Sequence, residues 1–129
     1  MDKLTCGFAQ AVITPEPGTV YMDGYGFRVS PAEGVRDDLY AKVCAMKSGE
    51  NEFVLVVLDI CGFDNRLRDC LRGWIRTYTD LKDHQFSVSA THTHAGPASG
   101  ICKDLPNNYM YWDKVGKILA KTVEQARSS

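Results

Sequence analysis

Imidazole is the side chain best suited both to hold a divalent metal and to move a proton near neutral pH. Two of the chain's three histidines, His92 and His94, stand two residues apart in Ser89-Ala90-Thr91-His92-Thr93-His94-Ala95-Gly96-Pro97, where an apolar run gives way to a Gly/Pro turn. Side chains alternate along an extended backbone, so the pair is expected to point the same way at a strand end. Two converging neutral imidazoles suit a metal, most often zinc, or one metal ligand beside an acid/base partner. Two polar groups bonding the local backbone would satisfy the same spacing.

A catalytic zinc normally takes three protein ligands and a water. The H-x-H-x-D-H pattern of metallo-β-lactamases is excluded, because Gly96 and Pro97 occupy its last two places. No histidine follows His94, and His84 precedes the strand and would sit at its far end. A complete site therefore requires Asp59, Asp64 or residues beyond this chain. For Asp59 the competing reading is a carboxylate that caps the next turn.

The elements that must position the pair follow from the hydrophobic pattern. Leu4 to Ile13 reads as a strand closed by Thr14-Pro15, since proline cannot continue a ladder. Glu16 to Arg36 is a long connection rich in turn formers, whose Tyr21, Tyr25, Phe27 and Arg28 are candidates to line a pocket or to cover the surface. Leu39–Met46 and Glu52–Ile60, joined by the polar turn Lys47 to Asn51, read as a β-hairpin. Phe53 to Leu58 is apolar at every position, the pattern of a central strand covered on both faces. From Asn65 to Leu81, apolar residues recur at spacings of three and four as on an amphipathic helix, with Asp64 or Asn65 as its N-cap. Gln85 to Ala90 then alternates as a strand. These last elements form a β-α-β unit with parallel strands, which places Asp59 and His92 near each other at the sheet edge where open α/β folds bind ligands. A second helical stripe runs from Trp112 to Ala126. The predicted fold class is α/β: a mixed β-sheet with a β-hairpin, one β-α-β unit and two main helices, forming part of a larger domain.

At 129 residues the chain is at most one domain, and 15 Lys+Arg against 16 Asp+Glu, without a basic run, argues against nucleic acid. No apolar run approaches the ~20 residues of a transmembrane helix, and the start MDKLTCGFAQ lacks the pattern of a secretory signal. The expected location is cytoplasmic, with secretion open for a longer form. The five cysteines are odd in number and irregular in spacing, so buried reduced thiols are expected rather than disulfides or a thiolate metal site.

Several separated segments resemble the neutral/alkaline non-lysosomal ceramidases and their bacterial relatives. Gly7 to Pro15 is similar to the family's opening strand and its I-T-P ending, Gly24-Tyr25-Gly26 with Arg28 to its glycine-rich loop, and Asp37-Asp38-Leu39-Tyr40-Ala41 to its D-x-L-Y-A-R strand. Leu58-Asp59 and Ala90 to Pro97 complete the order, T-H-T-H-[S/A]-G-P being the most specific piece. The resemblance implies that residues 1–129 are the N-terminal portion of a ceramidase-like α/β domain of a zinc-dependent amide hydrolase. It implies His92 as zinc ligand and His94 as the hydrogen-bonding or acid/base partner near the reacting carbonyl. The family's other ligands, a histidine, a glutamate and a tyrosine, come from later sequence and have no counterpart here, so the chain alone is expected to be inactive. Two departures bear on substrate: Ala95 stands where serine is common, and Pro97-Ala98-Ser99-Gly100 replaces a glycine-rich continuation. The implied substrate is a lipid or other small-molecule amide; the alternatives are a related hydrolase acting on a non-lipid amide and a non-catalytic binding or assembly module. With only two helices to cover Phe53 to Leu58, self-association through an open apolar face is also expected.

Overall fold

The computed structural model describes residues 2–24, 30–99 and 106–129, with side chains in the last stretch described from residue 110 onward. Tyr25, Phe27, Arg28 and Cys102 lie outside the described residues. Strands β1 (Leu4–Val12), β2 (Tyr40–Ser48), β3 (Asn51–Leu58) and β4 (Phe86–Ala90) form one sheet in the order β1-β2-β3-β4. The first two pairings are antiparallel and β3 with β4 is parallel. Helix α1 (Asn65–Tyr78) makes the crossover between the parallel strands, and α2 (Pro106–Arg127) follows the histidine segment. The α/β class, the hairpin and the β-α-β unit are as the sequence pattern predicts.

The hairpin is tighter than its composition suggests. Ser48 pairs with Asn51, so Lys47, Ser48 and Asn51 join the ladder and only Gly49 and Glu50 form the turn. Main-chain hydrogen bonds, unlike burial, make no demand for apolar side chains, which is why polar residues extend both strands. Helix α1 begins where Asp64 accepts a hydrogen bond from the Leu67 amide at 2.8 Å. It stops three residues short of Leu81, the last position of the apolar stripe. There the amide and the hydroxyl of Thr79 both take the Ile75 carbonyl, at 3.0 and 2.6 Å.

Both helices pack on the same face of the sheet. Ala41, Val43 and Ala45 of β2 and Val54, Val56 and Leu58 of β3 share one core with Leu67, Leu71 and Ile75 of α1 and Val115, Leu119 and Val123 of α2. The helices approach closely at Gly116, where a Cβ would fall within 2.6 Å of three Trp74 ring atoms. Helix α2 is fastened to the sheet at both ends. The Tyr111 hydroxyl donates to the Ile13 carbonyl at 2.7 Å, and burial pushes this phenol up. At the other end Arg127 donates to both carboxylate oxygens of Glu52, at 2.7 and 2.9 Å.

The expectation that β3 is covered on both faces is corrected. Phe53 and Leu55 point away from the helices and are 38% and 37% exposed. They continue into a face that also carries exposed Leu4, Phe8 and Val12. Two helices on one side leave no layer for the other among the described residues. The cysteine expectation is half corrected. Cys6, Cys44, Cys61 and Cys70 are unbridged, but Cys6 is exposed and the other three are only partly buried, because Cys6 and Cys44 lie on the open face of the sheet.

Candidate metal centre

The parallel β3/β4 pair brings residues 58–62 alongside 90–94, and the ladder continues beyond both strands. Thr91 donates its amide to the Leu58 carbonyl at 3.0 Å, and His92 to that of Ile60 at 3.0 Å. Residues 21–23 close on the other side. Ala98 donates to the Tyr21 carbonyl at 2.6 Å and Asp23 to that of Gly96 at 3.0 Å. The Ser99 hydroxyl adds a bond to the Gly62 carbonyl. A Gly/Pro-containing loop is thus held from two directions by main-chain bonds, which side-chain substitution leaves in place.

The local geometry of the pair differs from the extended run the spacing suggests. Strand β4 ends at Ala90, and His92 has φ 69°, the one described non-glycine residue in the left-handed region. That conformation is costly for a residue with a Cβ and clusters at functional sites. The rings nevertheless meet: Nε2 of His92 and Nε2 of His94 are 3.3 Å apart, with the ring planes at 81°. The alternation argument reached the right neighbours through the wrong backbone.

Behind His94 lies Gly24, at φ +112°, where a Cβ would come within 2.6 Å of both the Cα and the Cβ of His94. Only glycine allows the two segments this approach. It is the described part of the Gly24-Tyr25-Gly26 loop, and it packs directly on the site.

Behind His92 lies Cys61. Nδ1 of His92 is 2.7 Å from the Cys61 carbonyl oxygen and 3.5 Å from its Sγ. With Nδ1–H donating to that carbonyl, the lone pair of His92 resides on Nε2 and faces His94, the arrangement in which protein imidazoles bind metals. Ligand atoms of Cys61, His92 and His94 all lie within 4.8 Å of one another, and among the described residues no other His/Cys/Asp/Glu trio is gathered this way. Two imidazole nitrogens on one tetrahedral zinc stand about 3.3 Å apart for Zn–N bonds of about 2.0–2.1 Å. The pair fits one ion, and in the metal-free chain the same separation suits a hydrogen bond between the rings.

The two carboxylates that might have completed the site are engaged elsewhere. Oδ2 of Asp59 accepts from the Tyr40 amide at 2.9 Å, and Oδ1 of Asp64 caps α1. Asp59 is close to the histidine loop in the chain path, as the β-α-β unit predicts, but its carboxylate bonds the amide at the start of β2 rather than the turn that follows it. The 3₁₀ turn that holds His84 precedes β4, at the far end of that strand. Composition hid Cys61 among thiols expected to be buried. The usable signal was its place two residues past Asp59, at the end of the strand that runs parallel to β4. Beside the loop, Thr93, Ala95, Asp59 and residues 34–39 border a groove of about 410 Å³.

A two-layer α/β unit with its histidines beyond the C-terminal ends of parallel strands has its site where sheets of this class bind ligands. The chain belongs to the neutral/alkaline non-lysosomal ceramidase family, whose N-terminal region matches residues 4–112. Two solved structures share its fold. The neutral ceramidase from Pseudomonas aeruginosa superposes with a TM-score of 0.81 at 20% identity, and a ceramidase complexed with C2 with 0.80 at 20%. Each match covers 99% of this chain and 22% of the other, so the chain spans about a fifth of their length.

Proposed function

We propose that this chain supplies the first metal ligand and the acid/base partner of a ceramidase-type amide hydrolase, as the N-terminal portion of a longer α/β catalytic domain. His92 is the ligand through Nε2, its ring and tautomer fixed by the bond from Nδ1–H to the Cys61 carbonyl. Zinc held there would supply Lewis acidity toward an amide carbonyl and a bound water of lowered pKa. His94, 3.3 Å from His92 and backed by Gly24, is positioned to exchange a proton with the reacting amide at Nε2. The groove bordered by Thr93 and Ala95 receives the substrate next to the amide, and the missing serine hydroxyl at position 95 removes one polar contact there. Membership of the ceramidase family supports an N-acyl lipid as the substrate class.

The observation that carries this reading is the Nε2–Nε2 approach of His92 and His94 with the Nδ1 position of His92 already occupied. The remaining ligands come from sequence outside these 129 residues, so the chain alone is inactive. The test is turnover of ceramide and of non-lipid N-acyl amides by the longest native form. His94→Ala should lower kcat by about 10²–10⁴ while zinc is retained, and His92→Ala should abolish turnover together with zinc. Full activity in both variants would leave a non-catalytic module as the account. Amide turnover by the 129-residue chain would refute its inactivity.

A further inference from the structure

We infer that Ser99 is a positioning residue of this site: its hydroxyl holds the turn after β3 in place and, through that turn, sets the ring orientation and tautomer of His92. The inference rests on the reading of His92 as a metal ligand and extends it to the residue that secures the ring. Three consecutive carbonyls beyond β3 face the histidine loop. That of Ile60 takes the His92 amide at 3.0 Å, that of Cys61 takes the His92 Nδ1–H at 2.7 Å, and that of Gly62 takes the Ser99 hydroxyl. Two of them grip His92 directly, and the third is fastened by the return of the same loop.

Strand β3 ends at Leu58 and α1 begins at Asn65, so the turn between them lies outside both regular ladders. A Cβ at Gly62 would meet nothing within 4 Å, so packing does not wedge this residue and hydrogen bonding must hold it. Ser99, by contrast, is 7% exposed and anchored by its neighbour. The Ala98 amide donates to the Tyr21 carbonyl at 2.6 Å, and the Ala98 carbonyl takes the indole N–H of the core residue Trp112 at 3.4 Å. A buried hydroxyl needs a partner, and this one spends its bond on the turn that carries the His92 contacts. With the Cys61 carbonyl held 2.7 Å from Nδ1, a His92 tautomer protonated on Nε2 would set two lone pairs against each other. A carbonyl released to rotate would permit that tautomer, whose Nε2 has no lone pair for a metal.

Two-bond nitrogen–proton correlation spectra of the metal-free chain, at a pH where the rings are neutral, read the tautomer directly. The parent should show His92 as the Nδ1–H form, and Ser99→Ala should move it to a mixture of tautomers while His84, before the start of β4, keeps its pattern. In the longest native form the same substitution should weaken zinc binding about tenfold. Ser99→Gly, which also lacks the hydroxyl, should repeat both effects. Thr122→Val is the control: it removes a buried hydroxyl bonded to the Ile118 carbonyl within α2, and should cost stability without changing His92. An unchanged tautomer in Ser99→Ala, or an equal change in Thr122→Val, would overturn the inference. Either result leaves the ligand role of His92 to be decided by the zinc content of His92→Ala.

Discussion

The inner face of the sheet and the histidine loop are held by different forces. The inner face is apolar, with Val54, Val56, Leu58, Leu71, Ile75 and Leu119 all removed from water. The loop is fixed by amide-to-carbonyl bonds from residues 21–23 and 58–62, and its chemical groups are exposed or half-exposed. Burial specifies that the layers form, whereas directional bonds specify where two imidazoles point. Substitutions should therefore separate cleanly: core changes unfold the chain, and changes at the histidines remove chemistry from a fold that persists.

The largest effect tests the core half of that contrast. Leu58 is fully buried in the core, and Leu58→Ala should cost about 2–5 kcal/mol in denaturant unfolding. Phe8→Ser, on the open face where Phe8 is 69% exposed, should stay within about 0.5 kcal/mol. Equal losses would mean that the outer face is also covered in solution.

A smaller effect, on the loop side, should be strained rather than hollow. Gly24→Ala places a Cβ against His94 at φ +112° and should cost about 1–3 kcal/mol. Its signature is lower amide turnover by the longest native form, with zinc retained, together with lost stability. Loss of stability with unchanged turnover would show that Gly24 does not position His94.

The smallest effect concerns the far end of α2, away from both regions. The Arg127 guanidinium, bonded to both oxygens of Glu52, holds this carboxyl below the ordinary glutamate value. A folded-state value lower than the unfolded one stabilises the fold above the unfolded value, and that contribution is lost as pH falls through the folded one. Glu52→Gln should remove this acid-side decline and lower stability at neutral pH by about 1–2 kcal/mol. Coincident acid unfolding curves for the two proteins would rule the pair out as its cause.

How much of this could be read in the sequence follows the same division. Periodicity found the strands, both helices and the β-α-β unit, because burial leaves a pattern of period two or near 3.6. It overreached at Phe53 to Leu58, where an all-apolar run was taken to need two covering layers, although Phe53 and Leu55 face outward. In the site, motif spacing found His92 and His94. It could not find the left-handed backbone at His92, whose amide bonds the distant Ile60 carbonyl and which no local residue type announces. Cys61 was hidden for a related reason: thirty-one residues separate it from His92, and only strand pairing brings them together.

The central claim is that His92 holds the metal and that the fold does not depend on it. Zinc content of the purified longest native form, measured beside His92→Ala, tests this most directly. The account predicts one zinc per chain in the parent protein, and none in a variant whose circular dichroism and unfolding midpoint match those of the zinc-free parent. Undiminished zinc in His92→Ala would contradict it.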